Sequence, residues 1–202
     1  MRIPEAEMGE EARLGRGRPR SPGTHKAILD AAVELVGERG VLGVTMDAIA
    51  ARAGVGKASV YRRWASKIPL VIEAVQDAAE QQVPVPDSGN LRDDLEAMFR
   101  GFVAAVQMPL GRAIARLMLD SRVDEDLARA VKQGLMQQRH GSVRQLIERA
   151  VDRGEVRPDI DVDLVLDMGI AVVLHRLVVL GEGLDDTLAR DLADLVMNGI
   201  GS

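Results

Sequence analysis

The sequence predicts an all-α fold, and three observations support this prediction. Ala, Leu, Val, Arg, Glu and Asp dominate the composition. No segment shows the sustained alternation of apolar and polar residues, with β-branched side chains, that is typical of strands. Apolar residues instead recur at spacings of three and four along most of the chain, as they do on one face of a helix. We therefore expect helices throughout, joined by short turns.

The first four helices have recognisable starts and stops. They are expected over residues 22–39, 46–53, 57–64 and 67–82. Ser21, Thr45 and Ser66 have the side chains preferred at helix N-caps, and Gly40 ends the first helix. The Gly54-Val55-Gly56 run predicts a tight turn between the second and third helices.

Residues 83–89 mark the clearest boundary in the chain, because they contain two prolines and a glycine that cannot continue a helix. We accordingly predict three parts: a flexible basic arm at 1–20, a first domain at 21–82 and a second domain at 90–202. Helices of the second domain are expected over about 91–108, 110–121, 124–153, 162–180 and 185–198.

Several classes of protein are excluded by what the sequence lacks. The absence of cysteine excludes a disulfide scaffold, a zinc ribbon, an iron–sulfur protein and a thiol nucleophile. No apolar run suits a signal peptide or a spanning helix, so a cytoplasmic protein without a membrane partner is expected. The histidines share no metal-ligand spacing, and no nucleophile–base pair appears. We expect no metal, no cofactor and no enzymatic activity.

Charge is distributed unevenly along the chain. The net charge is −5, yet residues 13–67 contain eleven Lys and Arg against four Asp and Glu. A compact basic segment in an acidic chain indicates a face for nucleic acid on an acidic body. The alternative is a chance fluctuation of solvated charge.

Residues 41–67 predict a helix-turn-helix, because a capped two-turn helix meets a glycine turn and then a second short helix. Val60 and Trp64 lie four residues apart and should face the core. Lys57 and Ser59 stand at the start of the second short helix, and Tyr61 lies among basic residues on its exposed face.

This run resembles the N-terminal DNA-binding domain of the TetR family of bacterial repressors over about residues 21–75. The matching segments are Ala27-Ile28-Leu29-Asp30-Ala31-Ala32, Gly40, Val44-Thr45-Met46, Ile49-Ala50, Ala53-Gly54-Val55, Ser59-Val60-Tyr61 and Ser66-Lys67. The remainder resembles a family regulatory domain more loosely, at 90–95, 153–155 and 175–177. The resemblance implies a homodimer on a palindromic or near-palindromic double-stranded operator. It also implies a helical ligand domain and repression relieved by a small molecule.

The resemblance also implies roles for individual residues in DNA binding. These are phosphate contacts from Thr45, Tyr61 and Lys67, major-groove contacts from Lys57, Ala58 and Ser59, and contacts of Arg62 and Arg63 to a guanine edge or the backbone. In the arm, Arg16, Arg18 and Arg20 form a sequence similar to the core of an AT-hook, which lies in the A·T minor groove. The alternative for the arm is a solvated basic tail.

The second domain predicts an interface and a cavity. The helix over 162–180 is apolar nearly all round, so with the helix over 185–198 it is expected to pair with a second copy. The alternative is a core helix of a monomer. Candidates to line a ligand cavity, each of which could instead be ordinary core, are Met98, Phe99, Phe102, Met118, Met136, Met168 and His175.

Together these observations predict a homodimeric, sequence-specific repressor, associated with the bacterial nucleoid and released from its operator by a small molecule. Two alternatives belong to other classes. One is a small-molecule sensing protein whose DNA binding is secondary, and the other is a non-specific architectural DNA binder that uses the arm.

Overall fold

The structure, a computed structural model, describes residues 22–181, 184 and 187–200. The arm at 1–20, with its predicted minor-groove arginines, and the predicted cap Ser21 lie outside the described residues. Every regular element of the described part is helical, so the predicted all-α class is confirmed.

The helices follow one another with short connections. They are α1 (Pro22–Arg39), α2 (Met46–Arg52), α3 (Lys57–Tyr61), α4 (Lys67–Gln82), α5 (Leu91–Val106), α6 (Pro109–Asp120), α7 (Glu125–Ala130), α8 (Gln137–Asp152), α9 (Val162–Leu174) and α10 (Thr187–Ile200). Two π-helical segments extend these helices: Val131–Met136 joins α7 to α8, and His175–Leu180 continues α9.

Local signals account for most of the boundaries in the N-terminal unit, which comprises α1–α4. The Thr45 side chain accepts a hydrogen bond from the Ala48 amide at 3.2 Å and so caps α2. Gly40 ends α1 with a φ of 71°, a left-handed conformation that favours glycine. Ser66 occupies the N-cap position of α4, but its side chain accepts no bond from that helix. The third helix ends at Tyr61, three residues earlier than predicted.

A single apolar core joins the N-terminal unit to the C-terminal unit, which comprises α5–α10. Ile28 of α1, Ile49 of α2 and Leu70 of α4 have no exposed surface. The most extensive packing in the chain is between α1 and α6, and α4 also contacts α5, α6 and α7. The two helices that flank the helix-turn-helix, α1 and α4, therefore pack directly on the C-terminal unit.

The connection between the two units is anchored by a buried charge. Asp94 of α5 is 1% exposed, and its carboxylate accepts hydrogen bonds from the Ser88 amide at 2.9 and 3.1 Å. A buried carboxylate needs such donors, because an unsatisfied charge is costly to remove from water. The predicted boundary at 83–89 is thus an ordered turn fixed to α5.

Among the described residues, no single helix is long and apolar enough to cross a membrane. The pair of α5 and α6 meets the length and composition requirement only together, and it is bent by 84°.

Candidate nucleic-acid interface and ligand cavity

The turn of the helix-turn-helix has a defined backbone. Gly54 has a φ of 66°, and a Cβ at this position would meet open space, so the left-handed conformation is what requires glycine. The Val55 amide donates to the Ala50 carbonyl at 3.0 Å, and the Ser59 amide donates to the Gly56 carbonyl at 2.8 Å. These bonds set the angle at which α3 leaves α2.

One face of α3 is exposed and the other is buried. Val60 is fully buried and Trp64, just beyond α3, is 5% exposed, as their spacing predicted. The exposed face carries Lys57, Ala58, Tyr61 and Arg62, and Ser59 is half-buried beside it. Four predicted DNA-contacting residues therefore share one solvent-facing surface. Below, "the α3 face" means these four residues.

A carboxylate from α2 lies beside the α3 face. The Lys57 ammonium forms an ion pair with Asp47, and the Tyr61 hydroxyl donates to the same carboxylate at 3.3 Å. The hydrogen bond from Lys57 lowers the pKa of Asp47, and Asp47 in turn raises the pKa of Lys57. Ion pairs exposed to solvent contribute little to stability, so a phosphate can displace the carboxylate at little cost. The sequence analysis missed this cluster of Asp47, Lys57 and Tyr61.

The two arginines after α3 differ in their surroundings. Arg62 is exposed, whereas Arg63 is half-buried and its guanidinium donates to the Ser59 carbonyl at 2.8 Å. A guanidinium has five N–H donors, so this bond leaves others available. Arg63 is thus oriented along α3 before any DNA is bound.

Lys67 differs from its predicted role as a phosphate contact. Its ammonium donates to the carbonyls of Val41, Leu42 and Val44 at 2.8, 3.3 and 3.2 Å. An ammonium has three N–H donors, and these bonds use all of them. In this structure Lys67 holds the loop between α1 and α2, and a phosphate contact would require those bonds to break.

An aromatic pair fixes the N-terminus of α1 to the end of the helix-turn-helix. The rings of His25 and Trp64 stack with centroids 5.4 Å apart, and the Trp64 indole N–H donates to Glu73 at 2.6 Å. Glu73 also lies 3.1 Å from the His25 ring nitrogen. This cluster links α1, the residue after α3, and α4.

A cavity of about 130 Å³ lies among helices of both units. Five of the seven predicted lining residues contribute to it: Met98, Phe99, Phe102, Met118 and Met136. The lining of this cavity does not include Met168 or His175. Both side chains are exposed on the outer face of α9 and its extension, while Val165 and Leu174 line the cavity from the same helix.

His140 is the polar side chain in an otherwise apolar cavity wall. Its Nδ1 lies 3.9 Å from Asp163 and its Nε2 lies 3.9 Å from Asp167, distances too long for hydrogen bonds. The sequence analysis missed His140. The helical spacing could have identified it, because His140 lies on the same face of α8 and the segment before it as three apolar lining residues: Met136, Val143 and Ile147.

A second, more polar groove of about 450 Å³ adjoins this cavity. Ala79, Val83 and Leu135 line both spaces. The remaining lining of the groove includes Gln76, Glu80, Ser142, Gln145 and Arg149. An apolar chamber and a polar groove therefore share one wall.

The outer face of the last two helices exposes large apolar side chains. Leu164 is 57% exposed, Met168 44% and Val179 68%, and Leu195 of α10 is 57% exposed. Exposed apolar surface is a common feature of protein interaction sites. We refer to these four residues as the α9–α10 outer face.

Comparison with known proteins agrees with this architecture. A family model of bacterial regulatory proteins of the tetR family matches residues 28–74, and a model of the tetracyclin repressor-like C-terminal domain matches residues 85–196. The HTH-type transcriptional regulator YdeS of Bacillus subtilis is 33% identical over 92% of this chain and 93% of its own length. The DNA-binding transcriptional repressor TetR of Mycobacteroides abscessus is 34% identical over 91% of this chain and 95% of its own.

A solved structure shows the same relationship in three dimensions. The TetR family transcription regulator SCO0332 superposes with a TM-score of 0.73 at 30% identity, covering 89% of this chain and 99% of that one. With both halves of the chain matched and relatives aligned over nearly its full length, this protein belongs to the TetR family of helix-turn-helix transcriptional regulators.

Proposed function

We propose that this protein is a homodimeric repressor that binds a palindromic operator and leaves it when a small molecule occupies the cavity. Residues 21–82 serve DNA binding, and residues 90–202 serve ligand binding and dimerisation. The α3 face supports the proposal most directly, because its cationic and hydroxyl groups are presented to solvent by a unit with a buried apolar core.

Selection of bound duplexes from a random library, followed by competition with excess random DNA, tests this proposal. We expect one family of sequences to be enriched and to resist competition. Equal competition by random DNA would instead favour the architectural alternative. Failure to retain any duplex would favour a sensing protein whose DNA binding is secondary.

The DNA contacts we propose follow from the exposure and partners of each side chain. Lys57, Ala58 and Ser59 enter the major groove at the start of α3, and Tyr61 contacts a phosphate. Thr45, at the N-terminus of α2, places that helix end near a second phosphate. Arg62 and Arg63 contact either a guanine edge or the backbone.

Alanine substitutions at Lys57 and Arg63 are expected to distinguish base contacts from phosphate contacts. Loss of a side chain that reads a base should cost about 1–3 kcal/mol of binding free energy and relax the sequence preference at one position. Loss of a phosphate contact should weaken binding to all sequences alike. We expect the first pattern for at least one of the two residues. The measurement is the affinity of each variant for a panel of single-base operator variants.

Lys132→Ala is the matched control for this comparison, because Lys132 is an exposed lysine on the π-helical segment after α7. It should leave both affinity and preference unchanged. A uniform loss across the panel for both Lys57→Ala and Arg63→Ala would contradict the assignment.

Removal of residues 1–20 is expected to weaken operator binding, most on operators with A·T-rich flanks, without unfolding the rest of the protein. The reason is that the deletion removes Arg16, Arg18 and Arg20, whose side chains we propose to lie in the narrow, strongly negative minor groove. Affinities for flanks of different composition provide the measurement. The triple substitution of these arginines by alanine must reproduce the loss; full affinity in that variant would identify the arm as a solvated tail.

The ligand we propose is an amphiphile with a small apolar part. A dry apolar cavity of about 150 Å³ accommodates benzene, so the chamber suits a ring or short branched chain of about that size. His140 offers one polar contact in the chamber. The polar part of the ligand would occupy the adjoining groove, which Gln145 and Arg149 line.

Toluene, as a probe of the chamber, is expected to raise the melting temperature of the protein by several degrees, because a ligand of the native state alone stabilises that state. Ala79→Leu should abolish the shift, since Ala79 lines the chamber and a larger side chain fills it. Ala104→Leu, at an exposed alanine of α5, should retain it. Thermal unfolding with and without toluene is the measurement, and an equal shift in all three proteins would contradict this ligand site.

A further inference from the structure

Two charged residues, Asp120 and Lys67, form hydrogen bonds with the backbone of the loop between α1 and α2. Asp120, the last residue of α6, accepts hydrogen bonds at Oδ2 from the Val41 amide at 2.6 Å and from the Leu42 amide at 3.3 Å. Lys67 of α4 binds the carbonyls on the other side of the same loop. The C-terminal unit therefore supplies the acceptor, and the N-terminal unit supplies the donor.

The sequence of the loop is adapted to the Asp120 carboxylate. A Cβ on Gly40 would lie 2.6 Å from Asp120 Oδ2, so a side chain at this position would displace the carboxylate. The φ of 71° at Gly40 also turns the following amides toward that oxygen. Hydrogen bonds to a charged acceptor are roughly twice as strong as neutral ones, so this contact is stronger than an ordinary turn bond.

The helix that carries Asp120 also forms a wall of the ligand chamber. Leu110, Ile114 and Met118 line the chamber at four-residue intervals along α6. The same helix packs closely against α1, where a Cβ on Gly37 would lie 3.3 Å from the Pro109 carbonyl. Because α6 is one helix of 12 residues, we expect a displacement of its chamber face to displace its last residue as well.

The loop leads directly into the helix-turn-helix. Thr45, which caps α2, lies three positions after Leu42, and α2 in turn fixes the angle of α3. We infer that Asp120 is a positioning residue that sets the helix-turn-helix relative to the C-terminal unit and links the chamber wall to the α3 face. This inference rests on the proposed DNA-binding function.

The test compares Asp120→Ala with the unmodified protein on a duplex selected from the random library. Simple electrostatics predicts tighter binding after removal of a negative charge. Loss of the positioning contact predicts the opposite, and we expect operator affinity to fall at least tenfold with the protein still dimeric. Asp120→Asn, which keeps an uncharged acceptor, should show a loss of about threefold. Asp126→Ala, at an exposed carboxylate paired at 2.7 Å with Arg129 of its own helix, is the control and should bind as the unmodified protein does.

Amide hydrogen exchange distinguishes a coupling role of Asp120 from a merely structural one. A structural role alone would not change how operator binding affects exchange in the chamber wall. Coupling between two sites is reciprocal, so operator binding must change the protection of the chamber wall if Asp120 links the two. We expect the operator to change exchange in residues 110–118 of the unmodified protein and of Asp126→Ala, but not of Asp120→Ala.

The outcomes separate this inference from the proposed function. If the unmodified protein selects no duplex, the proposed function fails. If it selects one and Asp120→Ala binds that duplex equally well, with the same change in exchange, the inference is overturned. Should Asp120→Ala not fold, Asp120→Asn decides, and unmodified affinity in that variant overturns the inference.

Discussion

Met168→Asp is expected to convert the dimer to monomers and to lower operator affinity at least a hundredfold. Met168 is 44% exposed in the single chain and lies on the α9–α10 outer face, so the isolated protomer tolerates a carboxylate there. In the proposed dimer the carboxylate would be buried without a partner, at a cost of several kcal/mol in each copy. Monomers would place one α3 on the operator instead of two.

Sedimentation of Met168→Asp beside its operator affinity is the measurement. Val123→Asp is the matched control, because Val123 is 76% exposed on the connection after α6 and lies outside the proposed interface. A Met168→Asp variant that stays dimeric would refute the interface. Val172→Asp, in the middle of the same helix, is a poorer test, since Val172 is half-buried and packs against the core of its own protomer.

Operator affinity is expected to fall about 10³- to 10⁵-fold between about 50 and 200 mM salt, as it does for proteins that make about 6–10 phosphate contacts. The cationic side chains of two α3 faces and two arms supply that number. Each neutralised phosphate contributes about −0.9 to the slope of log K against log salt. Titration of a labelled operator at several salt concentrations gives this slope.

Melting temperatures at the same salt concentrations are the control, because they show whether salt acts on the fold instead. An affinity that changes less than tenfold over this range would contradict the proposed role of the basic segment at 13–67.

The helix-turn-helix was predictable because local signals specify it. Thr45 as a cap, Gly40 as a stop and the glycine turn at 54–56 act on neighbouring residues, and each is found in the structure. The end of α3 was less predictable. The residues after Tyr61 form a turn in which Trp64 packs against His25, a residue distant in sequence, and donates to Glu73.

The ligand chamber was predictable only in part. Met98 and Phe99 lie on the strongly amphipathic α5, where one face must be buried, and both line the chamber. The helix over 162–180 is apolar nearly all round, so its sequence does not distinguish the face toward the chamber from the outer face. Its pattern therefore did not show that Val165 and Leu174, rather than Met168 and His175, line the chamber.

The contacts that join the two units could not be predicted from local patterns. Asp120 binds amides about 79 residues earlier in the chain, and Lys67 binds carbonyls about 26 residues earlier. The sequence around each of these residues is the same as that around ordinary exposed charged residues at helix ends. Only the packing of α6 beside α1 brings Asp120 to the loop.

Hydroxyl-radical footprinting of the protein on its selected duplex tests the central claim most directly, because it shows how many α3 helices are placed and where. We predict two protected half-sites related by a two-fold axis, with centres about 34–36 Å apart or a multiple of that spacing, as two α3 helices of one dimer require. A single protected half-site, or uniform protection without sequence register, would contradict the account of a dimeric, operator-specific repressor.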